Sequence, residues 1–395
     1  MTMAVAIDGR TAQARHRSEA SRIATVDIVS DLGKAEAAWR ELESRNSTHT
    51  PYQRFDFLGP WHRQVGEREG CLPFIVIASD AERRPLALLP LARRRSCGVE
   101  VASFMGGKHA TFNMALWDRD FAVNATEADM AALMAGVLKH SGADVLALHQ
   151  QPKIWREVQN PLALLPHQPS VNDCPRLVME PGATPVALIS NSFRRRLKGK
   201  ERKLQPQPVR YFIATEDSDI SRLLDWFFRI KPLRMAEQKL PNVFADPGVE
   251  DFVRAACLTR LEGGGRVIDI HALECAEEVI AIFAGVADGD RFSMMFNTYT
   301  LSGNAKYSPG LILMRNIIDH YAASDYRALD LGIGSDDYKR LFCKSDEPIF
   351  DSFIPLTARG RMAASAMSLL NRTKRTVKHN PALLEMAQKL RGSLR

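Results

Sequence analysis

The sequence predicts a mixed α/β protein of the α+β kind, with two central mixed sheets that are flanked by helices. Three observations lead to this fold class. Strand and helix patterns alternate along most of the chain, and the second half repeats the order of the first. The best-defined stretch, residues 297–342, reads as strand, loop, helix, strand, loop and short helix, which is typical of a parallel crossover. The length of 395 residues exceeds one ordinary core and favours two domains.

The first half carries a complete set of these elements. Asp31 has the position of a helix N-cap, and apolar residues recur at helical spacing after it. Apolar runs between polar turns predict strands at 23–29, 74–78, 86–92, 99–105, 114–117, 144–148 and 176–179. Further helices are predicted at 55–65 and 127–140, with a short helical segment at Trp155. We expect the strand at 176–179 to close the first sheet.

Residues 181–185, which hold two prolines and a glycine, form the predicted boundary between the halves. Beyond it, the predicted helices are 191–203, 219–230, 248–261 and the helix that begins at Pro309. The predicted strands are 209–214, 267–273, 279–287, 291–298, 327–331 and 349–355, and the last of these should close the second sheet. The predicted division is a disordered terminus 1–21, a first domain 22–185, a second domain 186–358 and a basic helical tail 359–395.

The net charge of +7 comes from the tail. Residues 359–395 contain nine basic residues and one glutamate, which leaves the rest of the chain at −1. Global charge therefore gives no reason to expect DNA binding by the folded domains. The tail is either a solvated helix packed on the domain or a weak contact to an anionic membrane surface. A second basic segment, 191–203, is either a solvated amphipathic helix or a phosphate contact.

The six cysteines are scattered and include no CxxC pair, which argues against a disulfide framework or a zinc site and for a cytoplasmic setting. The longest apolar run near the best-defined stretch, 279–287, is too short to span a bilayer, and the polar first residues lack a signal-peptide pattern. We therefore expect a cytoplasmic protein that needs no metal.

Polar residues gather around the helix and strand of the 297–342 stretch. Ser308 suits the N-cap and Pro309 the first helical position. In open α/β sheets, ligands bind at the carboxyl ends of the strands, so the polar residues there are the functional candidates. They are Lys306, Ser308, Asp330, Asp336, Asp337, Tyr338 and Lys339. Each also has a structural interpretation: Asp330 as a cap of a backbone end, Asp336 and Asp337 as favourable charges at a helix start, Tyr338 as a packing residue.

The stretch YSPGLILMRNII, followed by ALDLGIGSDDYKRLF, resembles the CelD-like family, which is associated with cellulose biosynthesis and related to the FemAB-like transferases. The order of elements from residue 23 to residue 356 is similar to a GNAT acyltransferase fold duplicated in tandem. This resemblance implies an acyl-CoA donor, acetyl-CoA above all, whose pyrophosphate is held by a loop of the form Q/R-x-x-G-x-G/A. The matching positions are Tyr307, Gly310 and Ile312, of which only Gly310 keeps the pattern.

The same resemblance implies roles for single residues. The cofactor-binding candidates are Lys306, Tyr307, Ser308 and Gly310. The catalytic candidates are Asp330, as base or amine-orienting group, and Tyr338, as the acid for the leaving thiolate. The substrate-binding candidates are Asn297, Tyr299, Asp336, Lys339, Arg194 and Arg195. Strand amides near Asn297 and Tyr299 would stabilise the oxyanion.

The expected reaction is transfer of an acyl group to an amine or hydroxyl of a saccharide or other polar acceptor, and the first half should be structural or acceptor-binding. Two other functions stay open. One is a FemAB-like aminoacyltransferase that uses charged tRNA, with the basic segment 191–203 contacting phosphates. The other is a non-catalytic scaffold of a polysaccharide-synthesis assembly that docks through its tail.

Overall fold

Two mixed sheets form the centre of the molecule, as the sequence predicts. The structure, a computed structural model, describes residues 20–140, 142–334, 337–380 and 382–383. The prediction of a disordered terminus therefore falls almost entirely on residues outside the described part, and so does the end of the basic tail.

Most predicted elements are present, with small shifts at their ends. In the first half the elements are β1 Thr25–Val29, α1 Leu32–Ser44, β2 Ser47–Thr48, α2 Phe55–Trp61, β3 Leu72–Ser79, β4 Pro85–Ser96, β5 Val99–Phe104, β6 Leu116–Asp118, α3 Arg119–Val123, α4 Glu127–His140, β7 Val145–Pro152, β8 Ile154–Trp155, β9 Val158–Gln159, β10 Gln168–Pro169 and β11 Cys174–Val178. Asp31 caps α1 as predicted, because its carboxylate accepts from the amides of Gly33 and Lys34.

The second half continues in the same order. Its elements are α5 Pro185–Leu188, α6 Asn191–Glu201, β12 Val209–Ile213, α7 Asp217–Glu237, α8 Val249–Leu258, β13 Asp269–Cys275, β14 Glu278–Ala287, β15 Arg291–Tyr299, α9 Pro309–Ala323, β16 Ala328–Asp330, β17 Ser345–Glu347, β18 Ile349–Pro355 and α10 Ala358–His379. Short 3₁₀ helices at Gly303–Tyr307 and Asp337–Leu341 flank α9 and β16.

The two sheets have the same internal topology. In the first, β1, β3, β4 and β5 are antiparallel neighbours and β7 is parallel to β5. In the second, β12, β13, β14 and β15 are antiparallel neighbours and β16 is parallel to β15. Each sheet then ends in two further antiparallel strands, β18 and β10 in the first, β11 and β17 in the second. This correspondence supports the predicted duplication.

The closing strands are exchanged between the halves. β18 pairs with β7 of the first sheet, and β11 pairs with β16 and β17 of the second. The predictions that 176–179 closes the first sheet and that 349–355 closes the second are therefore wrong. An apolar run identifies a strand, but it does not identify the partner, because pairing is set by contacts far apart in sequence.

Two further predictions on elements are corrected. Trp155 lies in a short strand, β8, which pairs with β9, and not in a helical segment. The helix predicted to end at Ile230 continues through Pro232 to Glu237 as α7. Proline costs a helix one backbone hydrogen bond, but packing on the sheet outweighs that cost here.

The last helix, α10, packs on β18 and β7 of the first sheet. The backbone of Gly360 lies so close to Asp144 that an added Cβ would stand 1.7 Å from the Asp144 carbonyl oxygen. Met362, Leu369 and Leu370 remain exposed on the outer face of α10. The predicted membrane contact of this tail stays a prediction. None of the helices in the described residues combines the length and apolar content that a membrane crossing needs.

Substitution of Gly360 should loosen α10 from the first sheet. Gly360→Ala places a methyl group against backbone that cannot move aside, so we expect a loss of about 1–3 kcal/mol in the free energy of unfolding. Gly199→Ala in α6 is the matched control, because a Cβ there meets no atom within 4 Å. Chemical denaturation and hydrogen exchange across α10 measure both variants; equal stability would contradict the close packing.

A buried chain of three side chains joins α9 to the sheet. His271 of β13 lies 2.9 Å from the Tyr211 hydroxyl through Nδ1 and 3.0 Å from the Tyr321 hydroxyl through Nε2. Burial lowers the pKa of His271 to about 3, so the ring is neutral at neutral pH.

The neutral state of His271 predicts a loss of stability in mild acid. In the unfolded chain the imidazole takes up a proton below its ordinary pKa of about 6.5, whereas the folded protein resists this until about pH 3. The free energy of unfolding should therefore fall as the pH drops from 6.5 towards 3, with His271 contributing one proton taken up on unfolding. Urea denaturation of the wild type and of His271→Gln, between about pH 4 and 7, checks this. The free energy of unfolding of the variant should fall less steeply with decreasing pH, and equal slopes for the two proteins would contradict the prediction.

Candidate active site

The parallel strands β15 and β16 part soon after they begin. Their pairing covers Arg291, Phe292 and Ser293 of β15, and β15 then continues to Tyr299 without β16 beside it. From there β16 and the residues after it turn towards β11, where the Leu331 amide donates to the Pro175 carbonyl. The opening holds a cavity of about 530 Å³. It is lined by Lys231, Arg234, Met235, Gln238, Leu240, Phe283, Asn297, Thr298, Tyr299, Ala305, Ser308, Gly310, Leu311 and Tyr338.

The exposed edge of β15 presents peptide groups to this cavity. The Thr300 amide donates to Ile280 of β14, so the amides of Tyr299 and Asn297 face the opposite side by alternation. A β-bulge in the pairing of β14 and β15 lies at Met295, two residues before Asn297. The Asn297 carbonyl accepts from Lys231 Nζ at 2.9 Å, while the amides face the opening, where a developing oxyanion could be bound.

The amino end of α9 forms a second wall. Ser308 stands at the N-cap position as predicted, but its backbone is left-handed, with φ +58°, and its hydroxyl does not cap the helix. Instead Ser308 Oγ accepts from Lys200 Nζ of α6 at 2.8 Å. The amides of Ser308, Leu311 and Ile312 donate to carbonyls of Ala305 and Ser308, and Pro309 has no amide hydrogen, which leaves the Gly310 amide at this end of the helix. The positive end of the helix dipole and the charge of Lys200 favour an anion beside it.

Two cations of α7 complete the cavity, and sequence reasoning missed both. Lys231 contacts the edge of β15, and the Arg234 guanidinium lies 3.7 Å from the centroid of the Tyr299 ring. No Asp or Glu is among the described lining residues. The cavity is therefore suited to an anionic ligand. Both cations belong to the segment KPLRMAEQK, residues 231–239, but the helix was predicted to end at Ile230, before this segment.

Tyr338 lines the cavity, and its neighbour Lys339 holds it there. The Tyr338 hydroxyl lies 3.5 Å from Asn297 Nδ2. Lys339 is buried and donates to the carbonyls of Gly332 and Ile333, at 3.2 and 2.9 Å. These bonds fix the 3₁₀ helix that carries Tyr338. The geometry therefore favours Lys339 as a positioning residue over the predicted substrate contact.

Asp330 belongs to a closed network at the paired part of β15 and β16. Its carboxylate is fully buried and accepts from Arg291 Nε at 2.8 Å and from Ser293 Oγ at 2.5 Å. Cys174 of β11 donates to it at 3.7 Å, and burial raises the pKa of this thiol well above its usual range. Arg291 also donates to Glu347 of β17 at 2.6 Å. Since the carboxylate is enclosed and paired, the geometry does not favour the predicted role of Asp330 as a base.

The remaining predicted residues lie outside the cavity. Arg194 forms a bidentate ion pair with Asp319, at 2.7 and 2.8 Å, which docks α6 on α9, and Arg195 is exposed on α6. Lys306 is exposed and Tyr307 is half-buried in the 3₁₀ helix before α9. Asp336 lies outside the described residues. Of the predicted site, the structure thus brings together Asn297, Tyr299, Ser308, Gly310 and Tyr338.

The corresponding gap of the first half is occupied by its own chain. β5 and β7 pair only through Val101, Ala102 and Ser103, as β15 and β16 do through three residues. Beyond them, Asn113 donates to the carbonyls of His149 and Gln150 of β7, and residues 110–115 are buried. The described part of the chain contains no group of three or more His, Cys, Asp or Glu side chains that could hold a metal ion.

Residues 191–340 match the model of the acetyltransferase (GNAT) domain. The second half of the chain has the GNAT fold. In GNAT terms, β15, α9 and β16 are the strand, helix and strand around which the cavity opens. The narrower resemblance to the CelD-like family stays a prediction. A comparison with curated proteins gives no significant match.

Solved structures share this fold over most of the chain. The C-terminal domain of a candidate lysylphosphatidylglycerol synthetase from Agrobacterium fabrum has a TM-score of 0.51 at 10% identity and covers 87% of this chain and 97% of its own. FemX has a TM-score of 0.52 at 8% identity, with 80% and 95% covered. A conserved protein of unknown function from Bacteroides thetaiotaomicron has a TM-score of 0.51 at 11% identity, with 84% and 100% covered. At such identities the likeness extends to the fold alone.

The enclosed position of Asp330 predicts that its substitution affects stability. Asp330→Asn should lower the free energy of unfolding by about 3 kcal/mol, because Arg291 then loses one of its two buried counter-charges. Asp337→Asn, at an exposed position of the adjacent 3₁₀ helix, should change it by less than about 0.5 kcal/mol. Urea denaturation measures both. An Asp330→Asn protein of unchanged stability would contradict the structural role and restore the predicted base.

Proposed function

We propose that the second half transfers an acyl group from an anionic, activated donor to an amine or hydroxyl of a polar acceptor. The opening between β15 and β16 carries this proposal, because it sets free strand amides beside a helix amino end and two cations. An acyl transfer needs these groups: donors for the oxyanion, and a positive site for the charged part of the donor molecule.

The donor that we favour is an acyl-CoA such as acetyl-CoA. Its phosphates would lie near the amino end of α9 and Lys200, and its thioester against the amides of Asn297 and Tyr299, beside Lys231 and Arg234. The description of the matching domain as an acetyltransferase supports this choice.

The chain's own groups would assist the reaction in two ways. The acceptor nitrogen or oxygen attacks the acyl carbon, and the carbonyl oxygen takes up negative charge that the strand amides stabilise. The Tyr338 hydroxyl would then protonate the leaving sulfur as the bond between carbon and sulfur breaks. With Asp330 enclosed, the acceptor proton leaves through water, and correct positioning of the substrates supplies much of the rate.

The acceptor is proposed to be a saccharide or another polar molecule, as the family resemblance implies. Gln238, Asn297, Thr298 and Ser308 offer it hydrogen-bonding groups within the same cavity. The first half, whose corresponding gap is filled, is proposed to be structural.

A second candidate donor is aminoacyl-tRNA. It is favoured by Ile312, which is fully buried in the core where the phosphate-binding loop of a typical GNAT domain has a small residue. The names of two structural neighbours, FemX and a lysylphosphatidylglycerol synthetase, agree with this candidate. The cationic cavity would then hold the phosphate group next to the terminal nucleoside that carries the amino acid.

Loss of Arg234 should weaken donor binding. Arg234→Ala removes a cation of the cavity, so we expect the Kd for acetyl-CoA to rise about tenfold, measured by isothermal titration calorimetry. Arg229→Ala is the matched control, since Arg229 is an exposed arginine of the same helix that lies outside the cavity. Its Kd should remain that of the wild type.

The same titrations separate the two donors. A wild-type protein that ignores acetyl-CoA but binds aminoacyl-tRNA, with an affinity that falls steeply with salt, would assign the second donor. Binding of neither molecule would overturn the proposed transfer.

A further inference from the structure

A second cavity lies between the two halves, at the opposite end of the parallel strands. It has a volume of about 760 Å³. The β8–β9 hairpin and α3 of the first half form one side, and the starts of β15 and β16, the end of β11 and β17 form the other. β15 separates it from the candidate active site, because the six residue steps from Arg291 to Asn297 span about 20 Å at roughly 3.3 Å each.

The lining of this interfacial cavity is rich in cations. Six basic side chains face three acidic ones: Arg119, Lys153, Arg156, Arg176, Arg291 and Arg327 against Glu157, Asp290 and Glu347. Glu347 is already engaged by Arg176 and Arg291, at 2.9 and 2.6 Å. Among the described residues, Lys153 and Arg119 have no acidic partner within ion-pair distance. Arg156 also pairs with Asp288 at 3.4 Å and Arg291 with Asp330 at 2.8 Å, both carboxylates outside the lining. The excess of positive charge in the cavity therefore comes from Arg119 and Lys153.

Three buried donors of the same lining lack hydrogen-bond partners. They are Arg291 Nη2, Arg176 Nε and the indole Nε1 of Trp155. Arg291 is 5% exposed and stacks on the rings of Phe112 and Trp155, with its guanidinium 4.6 and 4.8 Å from their centroids. A buried donor without an acceptor is destabilising, and such groups are rare in native proteins. All three would be satisfied by oxygen atoms.

We propose that the interfacial cavity binds a small phosphorylated anion. Guanidinium groups match the geometry of phosphate oxygens, and the exposed Lys153 and Arg327 would meet the outer part of the ligand. The site is separate from the proposed transfer cavity and does not depend on it. Because its residues come from both halves, a bound anion would join them.

The test uses inorganic pyrophosphate and the full-length protein in isothermal titration calorimetry. The double variant Lys153→Gln/Arg327→Gln removes two exposed cations and leaves the buried ion pairs in place, so it should fold normally. We expect its Kd for pyrophosphate to rise at least tenfold. The control Arg95→Gln/Lys139→Gln removes the same charge from exposed positions outside the cavity and should bind as the wild type does.

Two further measurements fix the site and the ligand class. Trp155→Phe keeps an aromatic side chain but is smaller and lacks the indole donor, so it should weaken binding several-fold. Arg234→Ala, in the transfer cavity, should leave this binding unchanged, whatever its effect on acetyl-CoA. The proposal is overturned if pyrophosphate does not bind at roughly millimolar concentration. It is also overturned if only Arg234→Ala abolishes binding, or if citrate binds more tightly than pyrophosphate.

Discussion

The buried pairing of Arg291 with Asp330 and Glu347 is the interaction on which the rest of the second sheet depends. It joins β15, β16 and β17, and Cys174 and Arg176 connect it to β11 from the first half. Buried charges are costly unless they are paired and hydrogen-bonded, and here each carboxylate has at least two donors. The network holds the parallel strands together over their three paired positions, so the strands can part beyond Ser293 and Asp330 without loss of register.

The open end of the strands gains its chemistry from neighbours that are distant in sequence. α9 supplies its amino end with the Gly310 amide, α7 supplies Lys231 and Arg234, and the 3₁₀ helix supplies Tyr338, which Lys339 holds in place. The same parting of strands occurs in the first half, but there residues 110–115 fill the gap. A duplicated fold has thus kept one open cavity and closed the other with its own chain.

The sequence predicted the local elements well because apolar periodicity and capping are local signals. α1 with its Asp31 cap, α4 and the β15–α9–β16 crossover all follow from such patterns. It could not predict the exchange of β11 and β18, since pairing partners are chosen by the assembled core. In the site, the residues on the β15–α9 loop were found because they adjoin the helix start. Lys231 and Arg234 were missed because the helix was predicted to end at Ile230, and the enclosure of Asp330 could not be predicted because its partner, Arg291, is distant in sequence.

The exchanged strands also have a consequence for the way the protein is made. During synthesis on the ribosome, the first half emerges with the edge of β7 uncovered. Its neighbour in the sheet, β18, is made about two hundred residues later, from Ile349 to Pro355. An open strand edge attracts other chains. The nascent protein therefore carries an unpaired strand edge while the whole second half is made, and this edge is covered only when β18 has left the ribosome.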